Sequence, residues 1–111
     1  MSQTRKPVHL ANESELDAFL AEHDRVLLEA YTDGCGICAS MEPVLGNVAR
    51  ATDVAVALVN PRDDPPLVER LQVTSVPLLV YYEDGEEVRR LADGFQGADA
   101  VLEFVDEPVE A

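Results

Sequence analysis

Tryptophan is absent from this chain, lysine occurs once at Lys6, histidine twice at His9 and His23, and cysteine twice at Cys35 and Cys38. Each scarcity excludes something. With 8 Lys and Arg against 22 Asp and Glu, a net charge of −14, the chain has no basic cluster to release counterions from a phosphate backbone. Nucleic-acid binding and attraction to anionic membranes are therefore excluded. A zinc or iron–sulfur site needs four ligands, and no second cysteine pair is present, while the two histidines lie upstream on other stretches of chain. No glycine-rich phosphate loop is present, so no bound nucleotide is implied. Met1–Leu10 carries Arg5 and Lys6 but no apolar run of signal-peptide length, and no later stretch approaches a membrane span. A cytoplasmic location is the expectation, and in that reducing compartment a close cysteine pair is more often catalytic or metal-binding than structural.

No repeat, low-complexity tract or linker interrupts the 111 residues, and the densest proline stretch, Pro61–Pro66, is too short to divide domains. Residues 1–111 read as one domain. At 47% hydrophobic the chain can bury roughly two-thirds of its unfolded surface without disulfide or metal, which leaves both cysteines free for chemistry. Its acids are dispersed, and seven of its eight basic residues are arginine. Such a surface suits a salt-rich solvent that screens self-repulsion.

Asn12 with Glu15 three residues later predicts a helix start, with Leu16, Phe19 and Leu20 on one face of a helix over 13–23. Val26–Tyr31 reads as a strand buried on both faces, broken by Thr32-Asp33-Gly34. From Cys35 a helical stripe of Cys38, Met41, Leu45, Val48 and Ala49 runs to about Ala51, with Pro43 inside it as an expected kink. Val54–Val59 predicts a second buried strand, followed by a polar turn at Asn60–Asp64. Asp64 is expected to cap a helix opening on Pro65 and Pro66, with Leu67, Val68 and Leu71 as its apolar face. Leu78–Tyr82 and Val88–Leu91 flank Asp84-Gly85, a strong hairpin signal, and of Tyr81 and Tyr82, on opposite sides, one is expected in the core. A last helix follows Gly94 and Gly97, with Val101, Leu102 and Val105 on one face and Pro108 at its end. The order predicts an α/β fold, a mixed sheet of about four to five strands with helices on both faces.

Cys35-Gly36-Ile37-Cys38 lies where a buried strand turns into a helix. Unpaired N–H groups and the positive dipole end stabilise a thiolate at a helix start, so Cys35 is the candidate nucleophile. Cys38, one turn on, can resolve a mixed disulfide by attacking Cys35. A structural disulfide is a weak alternative, because closing so short a loop removes only roughly 2 kcal/mol of unfolded-state entropy. A metal site completed by a second copy of the chain, and inert thiols, also stay open. His9 and His23 read as surface or strand-end residues, not placed for a Cys–His hydrolase.

From about Leu10 to Val105 the chain resembles the thioredoxin family: Val26-Leu-Leu-Glu-Ala-Tyr before the cysteines, Pro43 five residues after Cys38, Val73-Thr-Ser-Val-Pro77, the Asp84-Gly85 hairpin and Gly94 match in order and spacing. The resemblance implies the thioredoxin fold, with a cis-proline at Pro77 facing the cysteines. It also implies that the backbone of Val76 pairs with a bound polypeptide in the manner of strand addition. Gly34, Gly36, Ile37 and Gly94 complete the substrate-binding positions. Glu29, six residues before Cys35, stands where the family usually has a buried aspartate, which makes it the candidate base for the Cys38 thiol. Its alternative is a side chain that reaches solvent.

The chain departs from the family pattern at four places. Gly34 and Tyr31 stand where tryptophans are usual, Ile37 where a proline separates the cysteines, and Leu58 where a lysine partners the buried acid. The function implied is a monomeric thiol–disulfide oxidoreductase that reduces protein disulfides through Cys35 and Cys38. It needs no cofactor, because the electron pair resides in the cysteines, and a thioredoxin-reductase-like donor restores the dithiol. Two other functions stay open: a non-catalytic redox-sensing interaction module, and a dimeric metal protein with a shared four-cysteine site.

Overall fold

A computed structural model describes residues 6–106. Five strands form one sheet in the order β1-β3-β2-β4-β5, where β1 is Val8–Leu10, β2 Arg25–Ala30, β3 Ala55–Val59, β4 Leu78–Glu83 and β5 Glu86–Leu91. β1, β3 and β2 are mutually parallel, and β4 and β5 are antiparallel additions beyond β2. Four helices cover the sheet: α1 Glu13–Glu22, α2 Gly36–Ala51, α3 Pro66–Leu71 and α4 Ala98–Asp106.

The alternation of side chains along each strand builds two cores. On one face Leu16 and Leu20 of α1 and Leu67 and Leu71 of α3 pack against Val26, Leu28, Ala57, Val59, Val80 and Tyr82. On the other, Met41, Leu45 and Val48 of α2 and Val101 and Val105 of α4 pack against Leu27, Val56, Leu58, Leu79 and Tyr81. β2, at the centre, is buried on both faces, which is why it reads as a continuous apolar run interrupted only by Glu29. The hairpin between β4 and β5 turns on Asp84 and Gly85, both at positive φ (53° and 84°), the geometry for which Asp-Gly is suited.

Several local readings are corrected. β1 was not legible, because three residues are too short for a period to show. Tyr81 and Tyr82 are both buried, since helices lie on both faces and a bulge separates the two residues. α1 closes at Glu22, with His23 as its extended C-cap. Asn12 does cap that helix, accepting the Glu15 N–H at 2.9 Å, while Glu15 accepts the Ala11 N–H at 2.8 Å. Asp64 does not cap α3, whose N-cap is Pro65; its carboxylate accepts the Glu13 N–H at 2.8 Å and so ties the start of α1 to the far end of the β3–α3 connection. That connection is a 3-10 turn, Pro61–Asp63. Val68 points outward at 42% exposure, because a helix of under two turns buries only its Leu67/Leu71 pair. α2 runs on through Pro43. Pro108, expected to end the last helix, lies outside the described residues.

Candidate functional site

The C-terminal end of β2 points at the N-terminus of α2, and the loop between them carries the chemistry. Tyr31 continues β2, donating its N–H to the Val59 carbonyl at 3.0 Å. Gly34 then takes φ +81°, a conformation that side chains with a Cβ rarely adopt. The loop geometry thus gives a physical reason for glycine where the family usually has tryptophan. Cys35 is the N-cap of α2, and its sulfur accepts the Cys38 N–H at 3.1 Å. The two cysteines, 5.3 Å apart at Cα, form a disulfide. Cys35 is partly exposed and Cys38 is 3% exposed, so the first cysteine reaches the surface and the second is buried.

Beneath them lies Glu29, fully buried, with neither carboxylate oxygen hydrogen-bonded within the protein. Burial, with a lesser push from the Glu42 charge, raises its pKa from the ordinary 4.5 to about 8. The alternative in which Glu29 reaches solvent is excluded. Leu58 is its register partner on β3 and is buried beside it, so the position at which the family usually has lysine offers no charge to the carboxylate.

Glu29 and both cysteines line one cavity of about 180 Å³, together with Gly34, Tyr31, Asp33, Glu42, Leu58 and His9. His9, read in the sequence as a surface or strand-end residue, is exposed and lies on β1; it comes to the cavity because β1 adds beside β3, and its Nδ1 lies 3.2 Å from the Tyr31 hydroxyl. The signal that would have found it is the strand it sits on, which sequence reasoning missed.

Val76-Pro77 is a cis peptide bond immediately before β4. Leu78 pairs with Ala30, so this bond lies at the same end of the sheet as the cysteine loop. Gly36 opens α2 with open space around it, Ile37 is 49% exposed, and Gly94 takes φ +79° in the β5–α4 loop. That loop is anchored to α2 by the Gln96 N–H, which donates to the Met41 sulfur at 3.4 Å, and it presents Phe95 at 52% exposure. Phe95 went unremarked in the sequence, where nothing but its place beside Gly94 distinguishes it.

A strand-to-helix Cys-x-x-Cys disulfide over a buried, unpaired carboxyl group, on a five-stranded mixed sheet, defines a protein of dithiol–disulfide exchange. The thioredoxin family model matches residues 7–107. The thioredoxin of Mycobacterium tuberculosis H37Rv is 35% identical over 85 residues, 75% of this chain and 72% of that one. A bifunctional thioredoxin reductase/thioredoxin of Mycobacterium leprae is 28% identical over 85 residues, 75% of this chain and 18% of that protein. The structure of a mutant thioredoxin from Halobacterium salinarum NRC-1 superposes with a TM-score of 0.90 at 32% identity, covering 100% of this chain and 97% of that one. The chain belongs to the thioredoxin family. It is a thiol–disulfide oxidoreductase that reduces protein disulfides with an electron pair held in its own Cys-x-x-Cys couple. The sensing-module and shared-metal readings are not favoured by these relatives, and among the described residues no group of three or more potential ligands could hold a metal ion. No described helix is long and apolar enough to cross a membrane.

Proposed function

We propose that Cys35 is the attacking thiolate, Cys38 the resolving thiol and Glu29 its base. The observation that carries this reading is Glu29, fully buried and unpaired, lining one cavity with both sulfurs. In the reduced protein the N-terminus of α2 and the Cys38 N–H stabilise the Cys35 thiolate. That thiolate attacks a substrate disulfide, forming a Cys35–substrate bond and releasing one substrate thiolate. Cys38 gives its proton to the Glu29 carboxylate and attacks the Cys35 sulfur. The Cys35–Cys38 bond forms, the second substrate thiolate leaves, and both leaving thiolates take protons from water. A base with pKa about 8 is well matched to a thiol near 8.5.

The substrate backbone lies along Val76-Pro77, flanked by Gly34, Gly36, Ile37 and Gly94, with exposed Ile37 supplying apolar contact. The electron donor is a thioredoxin-reductase-like protein, a pairing that the bifunctional Mycobacterium leprae relative carries in its name. The chain acts as a single-domain monomer in the cytoplasm, and its net charge of −14 with a single lysine suits a salt-rich one. Cys38→Ser is expected to trap substrate as a mixed disulfide through Cys35, and Cys35→Ser to abolish reduction, both read by mass spectrometry of peptides from the reaction with an excess of a disulfide protein such as insulin. Trapping through Cys38 in Cys35→Ser would reverse the two roles.

A further inference from the structure

The proton that Glu29 takes from Cys38 must leave before the next turnover, and a carboxyl group with no exposed surface of its own can hand it on only through the cavity it lines. The family's usual charged neighbour is missing here, since Leu58 stands beside Glu29. His9, Leu58 and Glu29 form one cross-strand row over β1, β3 and β2, so all three side chains leave the sheet on the same face. Tyr31, two residues along β2 from Glu29, faces that side as well. Its hydroxyl meets His9 Nδ1 at 3.2 Å, and His9 itself is exposed. Among the described residues lining the cavity there is no lysine or arginine, and His9 is the one group there able to take up a positive charge. His9 and Glu29 are two strand spacings apart, about 10 Å, and a cavity of this size has room for several waters between them.

We propose that His9, through the Tyr31 hydroxyl, is the proton-relay residue that connects Glu29 with solvent. This rests on Glu29 being the base. The protonated carboxyl gives its proton to cavity water, the water passes one to the Tyr31 oxygen, and the hydroxyl passes its own to Nδ1. The ring releases its other proton from Nε2 to bulk water, which leaves Glu29 ionised and Tyr31 unchanged. Tyr31 stays a neutral hydroxyl throughout, because partial burial and the surrounding carboxylates Asp63, Asp33, Glu42 and Glu29 raise its pKa. His9 touches neither sulfur and acts only through this chain.

The test is repeated turnover of a fluorescent, self-quenched disulfide substrate, with excess reductant, in weak buffer from about pH 6 to about pH 9. His9→Gln, which can still hydrogen-bond Tyr31, His9→Ala and Tyr31→Phe are expected to slow turnover several-fold on the acidic side, less than the roughly hundredfold that outright loss of a general base gives. Added imidazole is expected to restore the His9 variants and to leave Glu29→Gln slow. Parent-like profiles in the His9 variants alongside a slow Glu29→Gln would overturn the relay and leave the base in place. Slow His9 variants that imidazole does not restore would make the contact structural. A Glu29→Gln protein as fast as the parent would remove the base, and the relay with it.

Discussion

Glu29→Gln should change how stability depends on pH more than it changes stability at any one pH. In the oxidised protein burial raises the carboxyl pKa to about 8, against 4.5 for the ordinary group that the unfolded chain presents. Below about pH 4.5 both states hold the proton and the group contributes nothing to the pH slope. Between the two values the unfolded state releases the proton and the folded state keeps it, so folding stability falls as pH rises, and the fall ends above about pH 8. At about 1.4 kcal/mol per pH unit the loss is about 3 kcal/mol by pH 7 and about 5 kcal/mol when complete. That is a large part of the 5–15 kcal/mol or so by which domains are stable. Glutamine does not titrate. Its own desolvation cost is the same at every pH, so the difference between the variant and the parent isolates the ionisation of Glu29. Urea unfolding of both oxidised proteins in molar KCl, from about pH 4 to about pH 9, should show the variant gaining on the parent between about pH 4.5 and about pH 8 and a constant difference on either side. In thermal melts the gain approaches roughly 20 °C at about 4 °C per kcal/mol. A difference independent of pH would refute the reasoning, since it would mean that the carboxyl is hydrated in the native state.

Two further outcomes follow from the fold and the composition. Asp64→Ala removes the acceptor for the Glu13 N–H and should lower stability by about 1 kcal/mol in urea unfolding, with hydrogen exchange quickening in the first turn of α1 and not in α3. Stability should also rise steeply up to molar KCl, as the screening length falls from about 10 Å to about 3 Å and the repulsion within a chain of net charge −14 fades. Equal midpoints in dilute buffer and in molar KCl would remove the case for a salt-adapted surface.

Much of this protein is local and therefore legible. The Asn12/Glu15 helix start, the apolar run of β2, the stripe of α2 and the Asp84-Gly85 turn each follow from residues within a few positions of one another. The cysteine pair at a strand-to-helix junction depends on no distant contact either, and thiol–disulfide exchange is read from it, whereas reduction as its direction comes from the family. Glu29 was recognisable through the family resemblance, which places a buried acid six residues before Cys35. What the spacing does not carry is its solitude, because both carboxylate oxygens are left unpaired only by what α2, β3 and β4 bring around them. Asp64 looked like the cap of the helix that follows it and instead serves one 51 residues away, since a hydrogen bond answers to position in space. The sequence by itself determined the class of element at most positions, the two-sided burial of β2 and the redox couple, all of which rest on short-range periodicity and chemistry. Only the tertiary structure decided that a three-residue β1 adds to the edge of the sheet, and so that His9, Tyr31, Glu29 and the two cysteines share one cavity. The physical reason is that parallel pairing joins strands far apart in the chain, and no local pattern records which strands will become neighbours.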